Sequence, residues 1–144
     1  ALGFSKILGH QANPNQSVAS SDSNEFKQIT LTQNRQGHYV FDGEINQKPV
    51  TFLVDTGATI TSIPAHLKDQ LKLNAGAAFL VSTANGTATA YQTRLNELRM
   101  GSITLKNVRA SLNPGLSDIL LGMNVLKNME MTQRGNELII RPGP

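Results

Sequence analysis

Apolar and polar residues alternate in several short segments of the chain, a pattern typical of strands with one buried face. In residues 26–32, Ile29 and Leu31 are predicted to point into the core. Residues 37–45 predict a second strand, and residues 46–48 a turn into a third strand at 50–54. Pro49 fits the start of that strand, where a missing N–H is tolerated. The first half of the chain therefore predicts a sheet of short neighbouring strands.

The second half continues the strand pattern and adds little helix. Further strands are predicted at 91–99, 103–112, 119–121 and on both sides of a turn at 134–136. Their core positions are predicted at Leu95, Ile103, Leu105 and Val108. Short helices are predicted at 64–71, where Leu67 and Leu71 lie on one face, and at 124–129. The pattern predicts an all-β protein with one or two short helices.

The hairpin predicted at residues 79–91 has Asn85 and Gly86 at its tip. This residue pair favours a type I′ turn, because both central positions of that turn need positive φ. The arms are mostly Ala, Ser and Thr, with few large apolar side chains. A hairpin that buries so little is expected to be mobile.

The composition of the 144-residue chain indicates one domain with a modest core. With 39% hydrophobic and 16% charged residues, the chain is expected to fold. It has no Cys, and the three His residues (His10, His38 and His66) lack ligand spacing, so we expect neither disulfides nor a metal site. The net charge of +3 is spread along the chain without a basic run rich in aromatics, which argues against nucleic-acid binding.

The first 25 residues differ from the rest because they are rich in Asn, Gln, Ser and Gly and lack periodicity. We interpret residues 1–25 as a flexible linker or tail and residues 26–144 as the folded domain. The first residue is Ala1, so we expect that a preceding segment has been removed.

The stretch with the most chemical content follows the third predicted strand. Three apolar residues at 52–54 lead directly into Asp55, Thr56 and Gly57. Burial disfavours the charged form of a carboxyl group, so an acid at the end of an apolar strand is costly to hold there. Gly57 allows a tight turn through which amide groups approach the carboxylate. We therefore predict one carboxyl group at the bottom of a cleft.

This stretch resembles the active-site loop of the retropepsin-like aspartic proteases, whose signature is Asp-Thr/Ser-Gly in an apolar strand. A chance Asp-Thr-Gly at a turn is the alternative, and a second segment argues against it. Leu120-Leu121-Gly122, with Asn124 two residues later, resembles the family's hydrophobic-hydrophobic-Gly element in order and spacing. The resemblance spans residues 37–141 and is strongest to bacterial single-domain members. It implies a single-lobe closed β-barrel, the acid protease fold.

The resemblance also implies roles for particular residues. Asp55 is the expected catalytic residue, with the active-site loop supported by Thr56, Gly57 and Ala58. The supporting element consists of Leu120, Leu121, Gly122 and Asn124. Residues 83–90 form the expected flap over an extended peptide, with its tip at Ala84, Asn85 and Gly86.

The chemistry of this family needs two carboxyl groups on one water, one ionised and one protonated. Asp-Thr-Gly occurs once in the chain, and the neighbours of Asp118 match the supporting element instead. We therefore expect a homodimer whose two-fold axis brings Asp55 of each copy together. The implied partners are a second copy and a peptide or protein substrate. No metal or organic cofactor is implied.

The sequence departs from retroviral members at an ion pair. Those members carry Asp directly after Asp-Thr-Gly-Ala and Arg directly after the Gly of the second element. This chain has Thr59 and Met123 at these positions, so both charges are absent together and neither is left unpaired. The departure leaves open the strength of the dimer and the substrate contacts nearby.

Three functions remain open from the sequence. The first is an active aspartic endopeptidase, expected to prefer mildly acidic conditions because two carboxyl groups share a proton. The second is a catalytically silent module of the same fold that binds peptides or acts as a scaffold. The third is a peptide-binding β-barrel unrelated to proteases. Bacterial members often carry an N-terminal membrane anchor, so we expect an extracytoplasmic location, anchored through a segment that precedes this chain.

Overall fold

The computed structural model describes residues 12–16, 18–22 and 27–143. Strands make up 58% of the structure and form a closed, six-stranded mixed β-barrel with one short α-helix, which confirms the predicted fold class. The strands are β1 (Ala19–Asp22), β2 (Lys27–Thr32), β3 (Val40–Ile45), β4 (Lys48–Val54), β5 (Thr61–Pro64), β6 (Ala78–Thr83), β7 (Gly86–Met100), β8 (Ile103–Asn113), β9 (Ile119–Leu121), β10 (Met129–Arg134) and β11 (Glu137–Pro142). The α-helix α1 spans Met123–Leu126.

Six strands form the barrel wall in the order β3-β4-β9-β5-β8-β7, and pairing between β7 and β3 closes it. The short strand β9 lies between β4 and β5, parallel to β4 and antiparallel to β5. This arrangement brings the loop after β4 next to the segment after β9. Strand β6 pairs with β7 beyond the wall, so the β6–β7 hairpin has β6 as a sheet edge.

Apolar residues that alternate along the strands fill the barrel. Phe41 and Phe52, on the paired strands β3 and β4, are fully buried with their ring centroids 5.2 Å apart. Burying a side chain of this size contributes roughly 1.5–3 kcal/mol to folding. The predicted core residues Ile29, Leu31, Leu95, Ile103 and Val108 are buried, and Leu105 is partly buried.

A second, antiparallel sheet in the order β1-β2-β11-β10 covers one part of the barrel. Its inner face supplies Ile29 and Leu31 from β2 and Leu138 and Ile140 from β11, and all four pack into the same core cluster. The first and last regular segments of the described chain are thereby joined in one sheet.

Part of the predicted N-terminal tail contacts this scaffold. Asn15 is buried, and its side-chain amide donates to the carbonyls of Thr32 (2.8 Å) and Val40 (2.9 Å). Its Oδ1 accepts from the N–H of Thr32 at 2.8 Å, so one polar side chain satisfies three backbone groups. The domain boundary at residue 25 stays a prediction, and residues 1–11, 17 and 23–26 lie outside the described residues.

Both predicted helices are wrong in extent. At 64–71 the chain forms a 3₁₀ turn, Ala65–Leu67, and further turns follow it. The side chain of Asn46 donates to the carbonyl of Leu71 at 2.8 Å, and Lys72 has φ of +58°, so a helix does not continue. Helix α1 ends before residue 129, because Met129 begins strand β10.

Candidate active site

Asp55 lies directly after β4, at the point where the chain turns away from β9. Its N–H donates to the carbonyl of Leu121 at 3.0 Å, which ties the loop to β9. Its Oδ1 accepts from the N–H of Gly57 at 2.9 Å, and its main-chain carbonyl accepts from the N–H of Ala58 at 3.1 Å. The loop therefore curls around the carboxyl group and fixes its orientation while the residue stays partly exposed.

Gly57 and Thr56 form the open side of this loop, and both are exposed. A Cβ atom at Gly57 would lie 3.1 Å from Asp55 Oδ1, closer than ordinary van der Waals contact. The glycine therefore lets the amide approach the carboxylate without a steric clash, as the sequence predicted.

The segment after β9 supports the loop from its buried side. A Cβ atom at Gly122 would meet the backbone of Ile60 and Thr61 at 2.7 and 2.8 Å and the carbonyl of Ala58 at 2.9 Å. The next two residues continue the contact, because the N–H of Met123 donates to the carbonyl of Ala58 at 2.7 Å. The N–H of Asn124 donates to the carbonyl of Thr59 at 3.0 Å. Only glycine fits at position 122 with the two backbones this close.

Asn124 and Thr61 join the two segments through side chains. Asn124 Oδ1 accepts from the N–H and the hydroxyl of Thr61 at 2.8 and 2.9 Å. The Thr61 hydroxyl in turn accepts from the N–H of Gly122 at 3.1 Å, and Asn124 Nδ2 donates to the carbonyl of Arg109 at 2.7 Å. Sequence reasoning named Asn124 but missed Thr61, which is fully buried. No local signal identifies it, because its partner Asn124 lies 63 residues away in the sequence.

The predicted flap residues Ala84, Asn85 and Gly86 lie at the tip of the β6–β7 hairpin, and all three are exposed. Positive φ occurs at Gly86 (+107°) and not at Asn85, so the predicted type I′ turn is wrong. The Thr83 hydroxyl accepts from the N–H of Asn85 (3.2 Å) and donates to the carbonyl of Gly86 (2.7 Å). These bonds set the turn around Ala84 and Asn85, and the glycine follows it.

A cavity of about 670 Å³ lies between this hairpin, the loop after Asp55 and strand β8. Its volume is in the range of small-molecule and peptide side-chain sites. Its walls are formed by Ala58, Thr59, Ile60 and Ser62 of the loop, Phe79 and Val81 of β6, Gln92, Thr93, Arg94 and Asn96 of β7, Arg109, Ala110, Ser111 and Asn113 at β8, and Asn74 and Gly76. Ala58 of the predicted active-site loop and the β6 arm of the hairpin line this cavity, whereas Asp55 and the tip residues Ala84, Asn85 and Gly86 do not line it.

The part of the chain that the structure describes holds no group of three or more His, Asp or Glu side chains that would bind a metal ion. Among the same residues, none of the helices has the length and hydrophobicity needed to cross a bilayer.

Comparison with known proteins identifies the family. Residues 41–128 match the family described as "gag-polyprotein putative aspartyl protease", which is more than half of the chain. The chain belongs to the retropepsin-like aspartic protease family. The matched range contains both Asp55-Thr56-Gly57 and the supporting Leu120-Leu121-Gly122, so the predicted family is confirmed.

Individual proteins and solved structures are similar to this chain. An uncharacterized protein in the cobV 5′ region of Sinorhizobium sp. is 32% identical over 145 aligned positions, covering 96% of this chain and 62% of the relative. This retropepsin-like chain thus spans less than two thirds of the relative's length. The crystal structure of a retropepsin-like aspartic protease from Rickettsia conorii matches with a TM-score of 0.67 and 26% identity, over 88% of this chain and 96% of that one. The EIAV protease complexed with the inhibitor HBY-793 shares the fold, with a TM-score of 0.53 and 19% identity over 67% and 92% of the two chains.

Proposed function

We propose that this retropepsin-like protein is an aspartic endopeptidase whose catalytic pair consists of Asp55 from each chain of a homodimer. The observation that carries the proposal is the placement of Asp55. Its carboxyl group is oriented by the Gly57 amide, remains partly exposed, and lies beside a cleft roofed by the β6–β7 hairpin.

The exposure pattern of the Asp55 loop supports a homodimer. Its inner side is packed against Gly122 and Asn124, whereas Thr56 and Gly57 on its outer side are exposed. A two-fold symmetric interface formed by Thr56 and Gly57 of both chains would cover these residues. It would also bring the two copies of Asp55 close together at the symmetry axis. In the proposed dimer, the two Thr56 hydroxyls lie close enough to the axis to brace the facing loop.

The proposed reaction uses only the two carboxyl groups, one water molecule and the peptide. Two carboxyl groups that lie about 3 Å apart share one proton, because both cannot be ionised at that distance. The ionised group takes a proton from the water, which attacks the scissile carbonyl, and the protonated group donates its proton to the carbonyl oxygen. Collapse of the resulting diol breaks the C–N bond and returns a proton to the leaving amine. No bond forms between the enzyme and the substrate.

The β6–β7 hairpin is proposed to hold the substrate as an extended strand. Strand β6 is a sheet edge, so its free N–H and C=O groups face outward and are available to a peptide backbone. The tip residues Ala84, Asn85 and Gly86 are small or polar and exposed, which suits a flap that closes over a peptide.

The test compares the parent chain with Asp55→Asn on a mixture of denatured proteins, with cleavage read by mass spectrometry and oligomeric state by sedimentation velocity. Asp55→Asn is expected to lower the cleavage rate on the order of 10³-fold, because the general base is lost. Asp69→Asn is the matched control, since its side chain is 97% exposed and paired only with Lys68 at 3.3 Å. Equal cleavage by Asp55→Asn and the parent would contradict the proposal.

A mixing experiment tests the shared site directly. Adding an equal amount of Asp55→Asn chain should lower the parent's activity by about half, since only about a quarter of the exchanged dimers keep both aspartates. If one chain carried a complete site, the added chain would leave the activity unchanged. A persistent monomer without cleavage would instead favour a silent peptide-binding module.

Activity is expected to be highest under mildly acidic conditions, where the pair of carboxyl groups retains its shared proton. A rate that rises steadily into alkaline pH would contradict this mechanism. The bacterial source, the extracytoplasmic location and the membrane anchor ahead of this chain stay predictions.

A further inference from the structure

We propose that the cleft selects an acidic side chain of the substrate through Arg94 and Arg109; this inference rests on the proposed function and adds a substrate preference to it. Both arginines line the 670 Å³ cavity that lies against the Asp55 loop. Ala58 of that loop lines the same cavity, and the N–H of Ala58 is bonded to the carbonyl of Asp55. A side chain in the cavity therefore belongs to a residue close to the bond that is cut.

The two arginines are direct cross-strand partners. Arg94 of β7 pairs with Arg109 of β8 in antiparallel register, so both side chains point to the same face of the sheet. Directly opposed residues have Cβ atoms about 5 Å apart, and like charges in this position destabilise a sheet. A negative group between the two guanidinium groups would relieve this repulsion.

Arg109 is held through its backbone, and the guanidinium group of Arg94 is held by neutral partners. The Arg109 carbonyl accepts from Asn124 Nδ2 at 2.7 Å, which fixes the Arg109 backbone to the element that supports the Asp55 loop. Arg94 Nη1 contacts Asn107 Oδ1 at 3.2 Å and the Asn107 carbonyl at 3.4 Å, both neutral groups. Their positive charges are therefore not neutralised by these contacts.

The remainder of the cavity adds polarity without negative charge. No Asp or Glu of the described chain lines it. Gln92 and Asn96 share the Arg94 face of β7, and Ser111 shares the Arg109 face of β8. Ile60 and Phe79 supply an apolar wall opposite, which suits the methylene part of a longer side chain.

These features fit Glu better than any neutral side chain of similar size. A carboxylate accepts two parallel N–H bonds from a guanidinium group, and such charged bonds are about twice as strong as neutral ones. Gln has nearly the same shape but no charge, so a Glu/Gln peptide pair isolates the electrostatic part of recognition. Because both arginines are exposed, salt should weaken the preference.

The experiment uses apolar hexapeptides of Ala, Val and Phe that carry Glu or Gln at one position, with that position moved along the peptide. We measure kcat/KM with the parent chain and Kd with the cleavage-deficient Asp55→Asn chain by calorimetry. At one position of the substituted residue, the Glu peptide should have a kcat/KM about tenfold higher and a Kd about tenfold lower than the Gln peptide at low salt. The double variant Arg94→Gln/Arg109→Gln should bring this ratio to about one in both measurements.

Arg134→Gln is the control, because it makes the same kind of substitution at an exposed position on β10, away from the cavity. It should retain the Glu preference. A ratio near one at every position in the parent, or a preference that survives in the double variant, overturns the inference while leaving the proposed activity intact. Absence of cleavage by the parent, together with tighter binding of Glu peptides by Asp55→Asn, would overturn the proposed activity and support the inference.

Discussion

The two walls of the cleft are built in opposite ways. The base, formed by the Asp55 loop and the segment after β9, buries polar groups and satisfies them, as the bonds among Thr61, Gly122 and Asn124 show. The roof, formed by the β6–β7 hairpin, exposes apolar groups instead. Leu80 is 72% exposed and Phe79 38% exposed, although large apolar side chains are normally covered.

This difference indicates which part of the site a single chain completes. The base is determined by many short contacts within the chain, so the position of Asp55 needs no ligand to define it. The roof has β6 as an edge strand that pairs with β7, and it leaves apolar surface that a peptide or a second copy would cover. Changes in the base should therefore alter folding and activity together, and changes in the roof should alter activity with little effect on folding.

The largest effect is expected for Gly122→Ala. The new methyl group would lie 2.7–2.9 Å from three backbone atoms, which cannot rotate away as a flexible side chain would. We expect a loss of about 3 kcal/mol in the free energy of unfolding. For a domain of this size, that loss lowers Tm by roughly 10 °C. Thermal unfolding followed by circular dichroism measures the change, and cleavage should fall with it.

Gly115→Ala is the control for this substitution. Its methyl group would meet only the side-chain atoms Thr83 Cγ2 at 3.3 Å and Asn113 Oδ1 at 3.4 Å, and these can adjust. Its stability should change by less than about 0.5 kcal/mol. Equal stability of the two variants would show that the close backbone contact at Gly122 does not limit folding.

The base was more predictable from the sequence than the roof, and the reason is physical. An acid after an apolar strand and a glycine after a second apolar strand are local signals of a closely packed loop, and the structure places Asp55 and Gly122 accordingly. Thr61 was missed because its role depends on a hydrogen bond to Asn124, 63 residues away. Local pattern carries no information on such a bond.

At three other places, side-chain hydrogen bonds determine a structure that the sequence pattern did not predict. The turn after Thr83 was predicted from Asn85-Gly86 alone, but the Thr83 hydroxyl shifts the turn one residue toward the N-terminus. Leu71, at the end of the segment expected as a helix, has its carbonyl bound by Asn46, which is distant in sequence. Asn15 resembles a linker residue in sequence, and its burial follows from three backbone groups that only the folded barrel brings together.

A smaller effect on stability, and a specific effect on activity, is expected for Gly86→Ala at the roof. Gly86 has φ of +107° with no atom within 4 Å of an added Cβ, so the variant has backbone strain without a clash. The strain is about 1–2 kcal/mol. Since the strain is at the tip, the hairpin should lose its turn geometry while the barrel stays folded. We expect kcat/KM for a peptide substrate to fall by about tenfold with a Tm change of a few degrees.

Gly135→Ala is a matched control, because Gly135 is also a hairpin glycine with positive φ (+59°) and open space around it. It lies between β10 and β11, outside the residues that line the cleft. It should show a comparable loss of stability with unchanged kcat/KM. If both variants lose activity equally, the tip of the β6–β7 hairpin has no particular role in substrate binding.

Strand β7 runs from the roof into the barrel wall. The smallest predicted effect is at its barrel end, and this effect depends on pH. There Lys106 Nζ donates to Glu97 Oε2 at 2.7 Å, and Glu97 Oε1 is buried without a hydrogen-bond partner among the described residues. The hydrogen bond from Lys106 holds the pKa of Glu97 below its ordinary value, against the opposing effect of burial. The pair should therefore stabilise the barrel end of β7 in a pH-dependent way.

Because the pKa of Glu97 is lower in the folded chain, the unfolded chain takes up the proton more readily. The stabilisation is present above the unfolded pKa of about 4.3 and is lost as the pH falls through the lower, folded value. Lys106→Met should therefore lower Tm at pH 7 and have a smaller effect in strong acid. At pH 7 its effect should be smaller than that of Gly122→Ala.

Lys68→Met is the control, because it removes a lysine from the exposed pair with Asp69, where little stability is expected at any pH. A Tm loss for Lys106→Met that is the same at all pH values would mean that Lys106 contributes by packing alone. Strand β7 would then be held at the barrel by its ladder and by Asn46, whose Oδ1 accepts from the N–H of Glu97 at 3.1 Å and whose N–H donates to the Glu97 carbonyl at 2.9 Å.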